Sequence, residues 1–378
     1  MKTIGYAISL AGLPVLALLA APASAQTFNT EKGRIAVATV ADGLSQPWGI
    51  DFLPDGRMIV TEKPGRLRIV TSDGKVSKPI AGLPRVADSG QGGLLDVTLH
   101  PKFASNRLVY LSYAEPGAGG RSTALARGTL RTDGTALDDV KILFRQAPKV
   151  SGGRHFGSRI VFAPDGNLFL TTGDSGNRHE AQNLSGHIGK VIRLTDDGQV
   201  PGNNPFVGKK GTRPEIWSYG HRNIQGGAIH PVTGKLWTIE HGPRGGDEIN
   251  IPAAGANHGW PIVSHGIEYS GGTIGDGIKT KKGMADPIAT WTPVIAPGGM
   301  TFYTAKLFPA WKGNLLIGGL RASAVVRLEL DGDRVVHEER LLRQIDARIR
   351  DVAVGPDGAV YAITDEGNGK ILRISPDR

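Results

Sequence analysis

The sequence predicts an all-β fold, a six-bladed β-propeller of four-stranded antiparallel blades, and three observations carry that prediction. Glycine supplies 54 of the 378 residues and proline 24, yet neither collects in a low-complexity tract. Spread evenly between short apolar runs, they imply many turns. A unit made of a β-like run ending in proline, a turn and a second β-like run recurs six times. Convincing amphipathic helices are missing from the pattern, which argues against a parallel sheet with crossover helices.

The first runs of the six units cover residues 48–54, 94–101, 158–164, 226–231, the weaker 302–309, and 350–356. Turn chemistry follows the proline in Asp55-Gly56, Asp165-Gly166, Thr233-Gly234, Lys312-Gly313-Asn314 and Asp357-Gly358. Glycine or asparagine there admits the positive φ of a tight hairpin. The returning runs cover 57–62, 107–113, 167–172, 235–240, 314–318 and 359–364. Each hairpin is read as the inner pair of one blade, and residues 26–378 as one domain without an internal linker.

Seven polar loops flank these hairpins. Residues 89–93, 152–157, 220–223 and 348–351 precede an inner strand, while 173–176, 240–248 and 319–321 follow a return strand. Both ends of an inner hairpin lie on one side of a propeller, so all seven loops should crowd one face. That geometry gathers Arg154, Arg222, Arg321, Arg348, Arg350, Gln91 and Asn223 near His155 and Asp174. Such a bowl suits a small polyanion that carries carbonyl groups. Two local patterns lead nowhere: Gly173-Asp174-Ser175-Gly176 lacks the glycine of a protease nucleophile loop, and His179-Glu180 has Asn183 where a zincin needs its second histidine.

Composition narrows the function classes. Residues 1–25 combine Lys2, an apolar stretch and Ala23-Ser24-Ala25, the layout of a secretory signal peptide cleaved after Ala25. The expected location is periplasmic or secreted, with no membrane span. Cysteine is lacking altogether, so neither disulfides nor thiolate metal sites hold the fold. The formal net charge is +9, but the basic residues are dispersed. Dispersed charge fits a compact anionic ligand better than nucleic acid.

At Gly90-Gln-Gly-Gly-Leu-Leu-Asp96, Gly220-His-Arg-Asn223, the 240–250 segment and Arg348-Ile-Arg-Asp351, the chain resembles the soluble quinoprotein glucose dehydrogenase and aldose sugar dehydrogenase family. The likeness runs over nearly all of residues 26–378. It implies bound pyrroloquinoline quinone (PQQ) and Ca²⁺, an aldose sugar substrate and an external electron acceptor, which would be a quinone, cytochrome or dye. It further implies His155 as the base for the anomeric hydroxyl, Asp174 as its orienting carboxylate, and Arg222 as the cation against the quinone carbonyls. Gln91, Asn223, Tyr269, Arg321, Arg348 and Arg350 would hold the cofactor with Arg222. The Gly242 and Pro243 carbonyls would bind the catalytic calcium, and Glu248 with the His258 carbonyl a second one.

Two departures stand out: Arg321 replaces a lysine of the glucose-dehydrogenase branch, and Arg154 an aspartate. Either change would alter cofactor affinity or the sugar pocket, and the shorter loops imply the aldose branch with a wide, permissive cleft. Two other readings remain open on sequence: a calcium-dependent lactonase or esterase-type hydrolase on a six-bladed propeller, and a non-catalytic sugar-binding propeller.

Overall fold

The computed structural model describes residues 25–377. They form antiparallel sheets arranged as a six-bladed β-propeller. The expected leader lies outside the described residues, apart from its last residue, Ala25.

All but the fifth of the repeats read from the sequence fall on the inner pair of a blade. The first strands are Pro47–Phe52, Leu94–Leu99, Ile160–Phe162, Ile224–Ile229, Pro297–Phe302 and Ile349–Val354. The second strands are Met58–Glu62, Leu108–Gly117, Leu168–Thr171, Leu236–Glu240, Leu315–Gly319 and Val360–Thr364. Only the fifth unit is displaced: Phe302 ends its first strand rather than beginning it, and Pro309 opens a 3-10 turn.

The cause of that displacement is the Pro-Gly-Gly start of the strand, which carries little β-propensity. Packing imposes those glycines. A Cβ on Gly298 would lie 2.0 Å from the Arg350 carbonyl, and one on Gly299 1.5 Å from the Asp351 carboxylate.

Blades 2 to 5 have the expected four strands. Blade 1 has three, and its outer edge is filled by an irregular segment in which Ser77 N–H bonds the Ile69 carbonyl and Ile80 N–H the Leu67 carbonyl. Blade 6 has five, because Gly33–Leu44 pairs with the last strand, Gly369–Pro376, and Gln26–Thr30 adds an edge. The start of the chain therefore closes the ring against its end.

The core is divided among the blade interfaces. Six apolar clusters occupy the six seams, as where Ile59 and Leu67 of blade 1 meet Leu94 and Val97 of blade 2. Sheet-on-sheet burial of this kind contributes roughly 1.5–3 kcal/mol per large apolar side chain.

Three seams also carry a hydroxyl latch. Thr61, Ser112 and Thr171 each accept an N–H from their own first strand and donate to a first-strand or adjacent carbonyl of the next blade, Leu95, Ser158 and Ile224 in turn. These latches fix the inner strands relative to each other, and the inner strands carry the site.

Candidate active site

The first strands begin, and the second strands end, on one face of the ring. A cavity of about 300 Å³ opens there, lined from every blade by residues that include Trp48, Gln91, His155, Arg222, Leu320 and Arg350. The pairing register slips near the start of the first strand in blades 1, 2, 4, 5 and 6, at Pro47/Ile50, Leu94/Val97, Ile224/Gly226, Pro297/Met300 and Ile349/Asp351. A bulge at that position re-aims side chains that regular alternation would send into the seams.

His155 and Asp174 come from the loops at the two ends of blade 3's inner hairpin. His155 adopts φ +59°, which turns its ring toward Asp174. Its Nδ1 lies 2.6 Å from Asp174 Oδ1, and its N–H donates to Gln91 Oε1 at 2.9 Å. With Nδ1 as the donor, Nε2 is left as an acceptor toward the cavity. Asp174 is fixed from two further sides, by the Gly176 N–H on Oδ1 and the Trp260 indole N–H on Oδ2, each at 2.8 Å.

Burial lowers the histidine's pKa, with Arg222 acting the same way, while the Asp174 hydrogen bond opposes it. Asp174 stays below its ordinary range despite burial, because the His155 bond and the Gly176 N–H favour its charged form. The pair is thus a neutral imidazole held by an ionised carboxylate.

Arg222 spans the floor between His155 and blade 4. Its Nη1 donates to the His241 carbonyl at 2.9 Å, and its guanidinium lies 5.4 Å from the Trp260 ring centroid. The backbone N–H groups of Arg222 and Asn223 both donate to buried Glu240. Asn223 Oδ1 accepts from Gly157 N–H, so it holds the segment just after His155.

On the far wall, Gln225 Oε1 accepts from His241 Nε2 at 3.1 Å and from Arg350 Nη1 at 2.7 Å. Arg350 also reaches Asp365 at 2.8 Å, and its Nε is buried without a partner. Lys63 and Arg348 complete a cationic rim that Asp365 offsets only in part.

Beneath the cavity, side chains from three blades meet in a buried ion cluster. Arg159 Nη1 bonds Asp96 at 2.8 Å and Asp351 at 3.2 Å, and its Nε bonds the Gln225 carbonyl at 3.0 Å. The same guanidinium lies 5.0 Å from the Trp48 ring centroid, with Arg350 5.9 Å from that ring. Both guanidinium groups thus lie within cation–π range of Trp48.

The sequence-derived residues do not all meet at one point. Gln91, His155, Arg222, Asn223, Gly242, Tyr269, Arg348 and Arg350 line the central cavity. Asp174 stands behind His155 and lines an adjoining cavity of about 300 Å³. Arg321 is exposed and lines, with Pro243, a different flanking hollow. Tyr269 is 70% exposed and borders all three.

Glu248 and His258 lie away from the cavity. Glu248 accepts from Asn250 at 3.0 Å, and desolvation and the nearby Glu240 carboxylate push its pKa above the ordinary carboxylate range. The His258 ring is buried and stacks on His221 with centroids 4.6 Å apart. Among the described residues, no three His, Asp or Glu side chains converge on a metal-sized space. Backbone carbonyl oxygens are ligands that a hard cation accepts.

Sequence reasoning passed over Gln46, Trp48, Lys63, Gln225, His241 and Asp365 as lining residues. Most of them obey the same positional rule as Gln91, since they sit where an inner strand begins or its partner ends. Trp260 has no such signal. It reaches Asp174 from the long connection between the last two strands of blade 4.

Residues 44–373 match the family described as Glucose / Sorbosone dehydrogenase. The chain is 45% identical to the aldose sugar dehydrogenase YliI of Escherichia coli over 363 residues, which cover 95% of each protein. The solved apo-form of the soluble aldose sugar dehydrogenase from Escherichia coli superposes with a TM-score of 0.88 at 45% identity, over 91% of this chain and 100% of that one. The PQQ-bound form of aldose sugar dehydrogenase from Streptomyces coelicolor superposes with a TM-score of 0.75 at 30% identity, over 90% and 98%.

Proposed function

The chain belongs to the Glucose / Sorbosone dehydrogenase family, and we propose that it is a PQQ- and calcium-dependent dehydrogenase that oxidises the anomeric hydroxyl of aldoses to lactones. The observation that carries this reading is the His155–Asp174 pair opening onto a cationic cavity lined by all six blades.

The lining fits a tricarboxylate quinone. Arg222, Arg348, Arg350 and Lys63 supply cations at its walls, and the unpartnered Nε of Arg350 is an orphan donor that an oxyanion would satisfy. Gln91 and Asn223 add neutral polar groups.

For calcium, the donors are the Gly242 and Pro243 carbonyls, which receive no hydrogen bond among the described residues. Asp247 holds that loop through the Gly242 N–H at 2.8 Å and the Ala296 N–H at 2.7 Å. Oxygen-only ligation suits a hard cation. A second calcium at Glu248 and the His258 carbonyl belongs to the same proposal.

When bound, the quinone supplies the two-electron acceptor that takes the C1 hydride. His155 Nε2 takes the proton from the anomeric hydroxyl, and the ionised Asp174 stabilises the resulting imidazolium. The fixed guanidinium of Arg222 offsets negative charge that develops in the cavity. Electrons then leave to an external acceptor, a quinone, cytochrome or dye. The proposed compartment is the periplasm or the extracellular space, on the strength of the leader at residues 1–25.

A hydrolase with an axial metal needs carboxylates turned toward the axis. Asp96 and Asp351 are instead taken up by Arg159. The test is reconstitution with PQQ and Ca²⁺, an artificial dye and a panel of aldoses. Sugar-dependent dye reduction is expected, and its absence with every aldose would overturn the reading.

A further inference from the structure

Beyond His155, on the side away from the proposed cofactor, lies the adjoining cavity of about 300 Å³, lined by Arg154, Asp174, Arg178, Trp260, Glu268 and Tyr269 among others. It shares His155, Arg222, Gln91 and Tyr269 with the central cavity. A sugar whose C1 faces His155 has room for its remaining carbons here. The charges of this cavity therefore bear on which sugars are taken.

Most of those charges are already committed. Glu268 is paired with Arg178 through both guanidinium nitrogens, and Arg178 in turn lies 5.6 Å from the Trp260 ring centroid. Asp174 holds His155, Gly176 and Trp260. Arg222 is tied to the His241 carbonyl and the Trp260 face.

Arg154 alone has neither a carboxylate nor a carbonyl partner among the described residues. Arg154 is exposed, and its guanidinium lies at the edge of the cavity, over Gly176. A Cβ on Gly176 would stand 3.1 Å from Arg154 Nε and 3.4 Å from Nη2, and the glycine's φ of +81° keeps that space open. Arg154 also adjoins His155 in sequence, so the two Cα atoms are about 3.8 Å apart. An unpaired, solvent-accessible planar cation thus stands beside the proposed base.

Resting on the dehydrogenase reading above, we infer that the preferred substrates are aldoses bearing an oxyanion remote from C1, above all hexuronic acids, with Arg154 gripping that anion while C1 faces His155. A guanidinium matches a carboxylate with two parallel N–H···O bonds, which fixes orientation as well as charge. The reaction is unchanged. The C1–O–H proton goes to His155, the C1–H hydride goes to the two-electron acceptor, and a C1 lactone forms, while the carboxylate itself does not react.

The test compares kcat/KM for glucuronate, glucose 6-phosphate and glucose on the reconstituted enzyme at low and at physiological salt. Glucuronate should exceed glucose by about tenfold, in keeping with an ion pair in a partly enclosed site. Arg154→Gln should cancel that ratio and Arg154→Glu should invert it. Glucose 6-phosphate as the better anion would assign the same arginine to a phosphate instead of a carboxylate and overturn the hexuronate assignment.

A second readout needs no turnover. Calorimetric titration of the cofactor-free protein with glucuronate should show binding that Arg154→Glu removes. Oxidation of neutral aldoses with no glucuronate preference, or a preference unmoved in both variants, would sink this inference and leave the dehydrogenase reading standing. No oxidation of any aldose would sink both.

Discussion

His155 Nδ1 and Asp174 Oδ1 are 2.6 Å apart, a bond that ties the loop before blade 3's inner hairpin to the loop after it. The same aspartate takes the Trp260 indole N–H from the long connection within blade 4. Three separate chain segments thus fix one imidazole.

Replacing either partner should act on turnover more than on folding. With PQQ and Ca²⁺ bound, His155→Gln is expected to lower kcat about 10²- to 10⁴-fold, the usual worth of a positioned base. Asp174→Asn should cost on the order of 10²-fold or more by favouring the wrong tautomer. Single-turnover reduction followed by absorbance checks both, and unchanged rates would remove the pair from the chemistry.

The pH profile follows from the direction of the histidine shift. Burial holds His155 below its ordinary 6.5, so the neutral base persists into mildly acidic solution and kcat/KM should fall only below that value. Arg222 lowers the same pKa. Arg222→Gln should therefore move the acid limb to higher pH, besides lowering the rate. A limb that stays in place would contradict the coupling.

Beneath the site, Arg159→Met would strand Asp96 and Asp351 in a buried position. We expect a loss of about 3–5 kcal/mol in unfolding free energy, read from denaturant midpoints. Burial pushes Asp96 up to about 7, with Arg159 opposing. The folded state then holds that proton more tightly than the unfolded chain does. Its contribution is fully present below about 3.8 and is lost as pH rises through about 7. Asp96→Asn should flatten this part of the stability profile.

Lys190 donates to the carbonyls of Glu180, Ala181 and Ile188. Burial pushes the pKa of its ammonium down to about 7, with the Glu180 charge opposing. Lys190→Met should leave the Ile188 carbonyl unpaired, at about 1–3 kcal/mol, while the Glu180 and Ala181 carbonyls keep the N–H groups of Asn183 and Gly220. It should also loosen the 178–182 turn that carries Arg178, which hydrogen exchange of that turn would report.

Removing calcium with a chelator should abolish dye reduction, and added Ca²⁺ should restore it. Asp247→Asn should weaken the response, because Asp247 anchors the Gly242 N–H and not the cation itself. Full activity in chelator would discard the carbonyl site.

Much of the fold was legible because hairpin signals are local. A proline, an Asp-Gly turn and a β-branched run are neighbours in the chain, and six copies in phase leave few architectures open. The fifth unit was misplaced because Gly298 and Gly299 answer to Arg350 and Asp351 of the next blade, which no local propensity reports. The outer strand Gly33–Leu44 was overlooked for a similar reason, since its partner lies at the other end of the chain.

By itself, the sequence determined the six inner hairpins and the face on which their loops gather, because turn chemistry and strand alternation depend on adjacent residues. Gln91, His155, Arg222 and Arg350 could be assigned to that face from position alone. Only the tertiary structure decided which residues touch. It set Trp48 beside Arg159 and Arg350, joined Gln225 to Arg350, left Arg321 in a flanking hollow, and kept Glu248 and His258 behind the wall. Those outcomes depend on how blades remote in sequence pack around the axis and where register slips re-aim a side chain, and neither is written in any short stretch of residues.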